Sequence, residues 1–186
     1  MRALEELREM VSGRDVALVG NAQSLFSSPR PIDRHELVAR INRGYRLDAA
    51  KAAMAGTRMD LLLTSWFPGQ VVREMLSACG HVAWMSPSGR DRLRRIDAGQ
   101  MYFYPLEWHE ELQRSLATGS RPSTGCMAID LLMRLIGPGT VTLYGFDFWQ
   151  SPTWYTGEAR PGPHSPSEEE LFVRGHERSG RLRVTA

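Results

Sequence analysis

The chain has 186 residues and a mass of 21.0 kDa, which suits one compact domain and leaves little room for a second. Its 42% hydrophobic and 24% charged residues exclude a largely disordered chain. A formal net charge of only +2 argues against a protein dedicated to non-specific nucleic-acid binding. Lys51 is the sole lysine among 23 basic side chains. That bias fits arginine-favouring codon usage, and it equally fits a surface suited to phosphate and carboxylate, which the guanidinium fork matches. Two cysteines, Cys79 and Cys126, make neither a zinc pattern nor a disulfide scaffold and are compatible with a reducing cytoplasm. Residues 1–12 lack the apolar segment of a signal peptide, and no apolar run reaches the roughly 18–20 residues of a membrane span.

Along the chain, Leu4, Leu7, Met10 and Val11 share one helical stripe that Gly13 ends. VALVG (16–20) is a short apolar run stopped by glycine and predicts a buried strand. After a polar loop, residues 33–44 open on a capping Asp33 and give a turn or short strand. MDLLLTS (59–65) predicts a second buried strand, and residues 68–79 a helix with Pro68 near its first turn. Residues 81–86 and 101–105 are strand-like, and residues 107–117 are helical. Residues 123–137 carry apolar side chains at helical spacing, with Gly137 and Pro138 as the stop. TVTLYGFDF (140–148) is rich in β-branched and aromatic residues and predicts a strand. A Gly/Pro/Ser-rich loop over 149–167 precedes a helix over 167–179 with acidic residues in its first turn, and residues 181–186 fit a terminal strand. Strands alternating with helices predict an α/β fold: a single Rossmann-like domain over 1–186, with a mostly parallel sheet flanked by helices. Ligands of such sheets bind beyond the carboxyl ends of the strands.

Three segments carry candidate chemistry. Gly20-Asn21, after the first strand, has the shape of a nucleotide-binding turn, and also of an ordinary strand-end turn with Asn21 left-handed. Ser123, Thr124 and Gly125 bring hydroxyls, free N–H groups and a helix dipole together, as an anion site requires and as a plain N-cap also provides. His164 lies in the loop before the acidic helix and is a candidate general base, with His176 as its rival. His109 reads as solvated on a charged helix, and His81 as structural. The five tryptophans, Trp66, Trp84, Trp108, Trp149 and Trp154, read mostly as core, with sugar platforms as the alternative. Asp60 and Asp147 stand alone rather than in an acidic metal–diphosphate pair. No zinc signature, nucleophile elbow or P-loop is present.

In order and spacing these pieces resemble the animal-type sialyltransferases of glycosyltransferase family 29. Val19-Gly20-Asn21, Ile32-Asp33 and Arg40-Ile41-Asn42-Arg43 are similar to the family's large sialyl motif. RPSTGCMAIDLLMRLIGPGTVTLYGFDF (121–148) is similar to its small motif. His164 and Glu169 have the spacing of its very small motif. The resemblance spans roughly residues 14–176, with weakly matched middle segments.

It implies a sialyltransferase-type GT-A variant in a short, bacterial-type member that inverts the anomeric centre without a metal. The donor would be a CMP-activated sugar acid and the acceptor a glycan or lipid-linked saccharide, the latter bringing the protein to a membrane surface. Asn21 and Asn42 would hold the CMP phosphate and ribose region. Ser123, Thr124 and Gly125 would contact the donor phosphate, cytidine or sugar carboxylate. Glu169 would belong to the substrate-binding set. His164 would deprotonate the acceptor hydroxyl, and Tyr155, in a segment only loosely like the family's third motif, would steady the departing phosphate. Where the family pairs two cysteines, this chain has aliphatic residues near Val16 and Ile136. The chain is short for the family, so acceptor-binding insertions are missing. A non-catalytic CMP-binding module and an unrelated α/β hydrolase using His164 or His176 are the alternatives.

Overall fold

A computed structural model describes residues 2–65, 69–159 and 162–185. Among these residues seven strands form one parallel sheet: β1 (Asp15–Val19), β2 (Leu37–Ile41), β3 (Leu61–Thr64), β4 (Val82–Trp84), β5 (Met101–Phe103), β6 (Thr140–Tyr144) and β7 (Leu182–Thr185). Their order is β5-β4-β3-β2-β1-β6-β7, so the chain works outward from β1 to one edge and then crosses back to lay β6 on the other side of β1. Parallel strands covered on both faces must be apolar on both, and Val16, Ala17, Leu18 and Val19 are all buried. Val16 and Leu18 point into the larger core. It is built with α1 (Leu4–Val11), α5 (Leu106–Ser115), α6 (Thr124–Leu135) and α7 (Pro166–Glu177). Ala17 and Val19 point to the other face, beneath α2 (Ala49–Ala55), while α3 (Gly69–Ala78) covers the β3–β5 half of that face. The remaining helix is the short α4 (Arg95–Ala98).

The predicted α/β Rossmann-like sheet is present. Pro68, expected near the start of α3, and Trp66 lie outside the described residues. Residues 37–41 form a full strand rather than a turn, although Arg40 interrupts their apolar run. Arg40 is 1% exposed, and its guanidinium donates to the carbonyls of Ala55 and Arg58 at 2.8 Å each. It therefore caps the C-terminus of α2, where the helix dipole favours a cation. Asp33 caps no helix of its own. Its carboxylate accepts from the N–H groups of Thr57 and Arg58, at 2.8 and 3.1 Å, and ties down the turn after α2. These two residues of the large-motif segment thus both hold the turn after α2. His109 is buried on the inner face of α5 with Leu112, not solvated, because the two are one helical turn apart. Val16 and Ile136 are both fully buried in the larger core, so aliphatic packing occupies both positions. Cys79 and Cys126 are buried and unlinked. No helix among the described residues is long and apolar enough to cross a membrane.

Candidate active site

The sheet places the carboxyl ends of β1 and β6 side by side, at the point where strand order reverses, and a cavity of about 340 Å³ opens there. Gly20 and Gly145 form part of its wall. Gly20 donates its N–H to Tyr144 at 2.7 Å, and a Cβ on Gly20 would lie 2.4 Å from the carbonyl oxygen of Gly145. Gly145 itself has φ 68°, with Leu25 packed 3.0 Å from where its Cβ would stand. Gly20 needs glycine because two backbones meet where its side chain would go, and Gly145 because its φ is left-handed and Leu25 packs against it.

Gly20, Asn21, Asn42, Ser123, Thr124, Gly125, Tyr155, His164 and Glu169 all line this cavity. Gly20, Ser123 and His164 come from three distant stretches of chain and meet at this one cavity. His176 does not line the cavity. Its ring packs edge-on against Phe172 at 4.7 Å.

Several of these side chains are already engaged. Ser123 is the N-cap of α6: its hydroxyl accepts from the Cys126 N–H at 3.1 Å and donates to Glu169 Oε2 at 2.6 Å. The Ser123 N–H donates to Glu169 Oε1 at 2.7 Å. Ser123 and Glu169 therefore satisfy each other across two helix N-termini, and the remaining first-turn donors of α6 are the N–H groups of Thr124 and Gly125. A Cβ on Gly125 would meet the Phe146 ring at 3.0 Å, which explains a glycine inside the first turn. Asn21 donates its amide to the Ile41 carbonyl and accepts from the Trp154 indole, at 3.3 and 3.2 Å. It ties the β1 turn to the loop after β6. The left-handed residue is Asn42 (φ 48°), not Asn21, and its side-chain oxygen accepts from the Ser65 N–H at 3.1 Å.

Two titratable groups face the remaining space. The Tyr155 hydroxyl meets the Asn42 amide, and the Arg43 guanidinium lies 5.1 Å over its ring. Burial raises its pKa, so it stays a donor at neutral pH. His164 Nδ1 lies 2.6 Å from the Arg121 carbonyl. A carbonyl only accepts, so Nδ1 carries the proton and Nε2 keeps a lone pair. Burial pushes the His164 pKa below its usual value, and the Arg121 charge adds to this. Asp147, which stood alone in the sequence, accepts from Ser24 Oγ at 2.8 Å and the Ser151 N–H at 3.1 Å. Sequence reasoning missed this clamp because its donors lie on two separate loops. Among the described residues no group of three or more His, Cys, Asp or Glu side chains is placed to hold a metal ion.

Glu169 is 4% exposed, and burial raises its pKa to about 7 against the pull of its two hydrogen bonds from Ser123. Between its ordinary value near 4.5 and about 7, the folded chain holds a proton that the unfolded chain has released. Stability therefore falls as pH rises through that window, by about 3 kcal/mol in all. Urea melts at a series of pH values should show the wild-type stability, minus that of Glu169→Gln, declining from pH 4.5 to 7 and level outside it. A flat difference would show that Glu169 titrates alike in the folded and unfolded chain.

No family model and no curated protein matches the chain. Solved structures do. A mammalian sialyltransferase superposes with a TM-score of 0.68 at 16% identity, covering 95% of this chain and 70% of that one. A mammalian sialyltransferase in complex with Gal-beta-1-3GalNAc-ortho-nitrophenol gives 0.65 at 16% identity, covering 96% and 71%. The sialyltransferase CST-II in complex with CMP gives 0.59 at 12% identity, covering 92% and 80%. The chain thus has the α/β Rossmann-like fold of the sialyltransferases.

Proposed function

We propose that this chain is an inverting, metal-independent glycosyltransferase. It moves sialic acid or a related sugar acid from a CMP donor to a hydroxyl of a glycan or lipid-linked saccharide. One observation carries the proposal. A helix N-terminus with free N–H groups, a neutral tyrosine hydroxyl and a tautomer-fixed histidine meet in one cavity at the carboxyl ends of β1 and β6. The motif resemblance to family 29 and the shared fold support it. So do the ligands of the solved neighbours, CMP in one and a glycan acceptor analogue in another.

In this reading His164 Nε2 takes the proton of the acceptor hydroxyl as its oxygen attacks the anomeric carbon in line. The bond from that carbon to the phosphate oxygen breaks, and CMP leaves with the electron pair. The N–H groups of Thr124 and Gly125, the α6 dipole and the Tyr155 hydroxyl receive the developing charge. A phosphate diester leaves readily on hydrogen bonds alone, so the proposal needs no cation. Asn21 acts by holding the Trp154 loop, Asn42 by orienting Tyr155, and Ser123 with Glu169 by fixing the start of α6. The two buried, unlinked cysteines fit a cytoplasmic protein, and membrane association is proposed to be peripheral.

CMP should raise the melting temperature with or without EDTA, whereas UDP, GDP and CDP should have a smaller effect. Stabilisation by UDP only with a divalent ion would overturn the reading. CMP binding with neither donor hydrolysis nor transfer to any of a panel of acceptors would assign the chain to the non-catalytic alternative.

A further inference from the structure

The loop after β6 makes a tight turn at Asp147–Gln150, in which the Gln150 N–H donates to the Asp147 carbonyl at 3.1 Å. Both central residues are left-handed, Phe148 at φ 53° and Trp149 at φ 62°. A turn with positive φ at both central positions selects Asn-Gly, because bulky side chains are strained there. Here the two positions hold a bulky aromatic pair, Phe148 and Trp149. Tertiary contacts hold the turn against its own preference. Ser24 and Ser151 grip the Asp147 carboxylate, Phe148 packs on the larger core, and Ala22 bridges to Thr153 beyond the turn. Such over-determined strain collects at ligand clamps.

The result is to aim Trp149 into the cavity. Its half-buried indole lines the wall, with its ring 6.0 Å from the His164 imidazole and inclined to it by 27°. Any hydroxyl that gives its proton to His164 Nε2 must lie in hydrogen-bond reach of that nitrogen. The ring bearing that hydroxyl then lies within a few ångströms of the imidazole, in the cavity that the neighbouring Trp149 indole also lines. A pyranose has a C–H face and a polar rim, and an indole offers a flat apolar surface that fits the former.

We propose that Trp149 is the acceptor platform: its indole receives the C–H face of a hexopyranose and presents one ring hydroxyl to His164. The inference rests on the transferase reading and goes beyond it by assigning the acceptor subsite and its ligand class. Trp149→Asn and Trp149→Gly both suit a left-handed φ, so either keeps the turn, and Trp149→Phe keeps an aromatic face. Calorimetric titration of the CMP-saturated protein with a panel of methyl hexopyranosides is the test, with CMP affinity measured in parallel. The Asn and Gly variants should bind CMP as the wild type does and lose about tenfold or more in pyranoside affinity, with Phe restoring most of it. Unchanged pyranoside affinity in both non-aromatic variants would overturn the platform. So would a wild type that binds CMP but no pyranoside. A wild type that fails to bind CMP would instead overturn the transferase reading beneath it.

Discussion

Alanine in place of His164 should cut transfer by about 10²–10⁴-fold while leaving CMP able to raise the melting temperature. The imidazole is held by one contact that decides its chemistry. Nδ1 donates to the Arg121 carbonyl, so Nε2 is the free lone pair. Burial favours the neutral ring, and a base must be neutral to act. A lowered pKa keeps the active, neutral form populated at lower pH. The acid limb of the kcat profile should therefore lie below the ordinary histidine range near 6.5. That limb should disappear in His164→Ala. His176→Ala should retain full activity, since His176 packs on Phe172 away from the cavity. Undiminished transfer by His164→Ala would remove this residue from the mechanism.

Gly20→Ala should be strongly damaging to the cavity wall. Its methyl group would stand 2.4 Å from the Gly145 carbonyl oxygen, 3.0 Å from the Gly145 carbonyl carbon and 3.0 Å from the Phe146 ring. Most of that obstacle is backbone, so no rotamer change relieves it. The end of β1 must part from the end of β6, breaking the 2.7 Å bond from the Gly20 N–H to Tyr144. Overpacking of this kind costs about 2–3 kcal/mol or more. In a chain of this size that is a drop of roughly 5–10 °C in melting temperature. CMP binding should weaken as well, because the cavity wall moves. Gly80→Ala is the control, since a Cβ there meets nothing within 4 Å, and its melting temperature should stay close to the wild type. Thermal melts of both variants with and without CMP separate the two effects.

Much of the fold could be read from sequence because its signals are local. VALVG is apolar on both faces and ends in glycine, and residues 123–137 keep a helical spacing until Gly137-Pro138. The weaker places have physical reasons. AAKAAMA (49–55) is an alanine-rich helix with little contrast between faces, so periodicity does not announce it, although Asp48 caps it by accepting from the Lys51 N–H at 2.9 Å. Arg40 left residues 33–44 readable as a turn or as a short strand, because its hydrogen-bond partners lie 15 and 18 residues away. In the site, the residue types and their order were visible, but their prior engagements were not. Glu169 reaches Ser123 across 46 residues, and Trp154 reaches Asn21 across 133. The Phe148-Trp149 turn runs against local preference, so nothing short of the tertiary contacts reveals it.

The strand order also sets a schedule for making the protein. β1 lies inside the sheet, yet its partner β6 pairs with it 125 residues later in the chain, Asp15 with Thr140 through Val19 with Tyr144. Until residues 140–144 emerge from the ribosome, this buried interior strand carries an open hydrogen-bonding edge. That edge is a template for mispairing with another chain. The same closure joins Gly20 to Gly145 and completes the cavity wall. A nucleotide that fits the cavity would favour the finished molecule over every unfinished one, and so would act during synthesis as a folding ligand as well as a substrate.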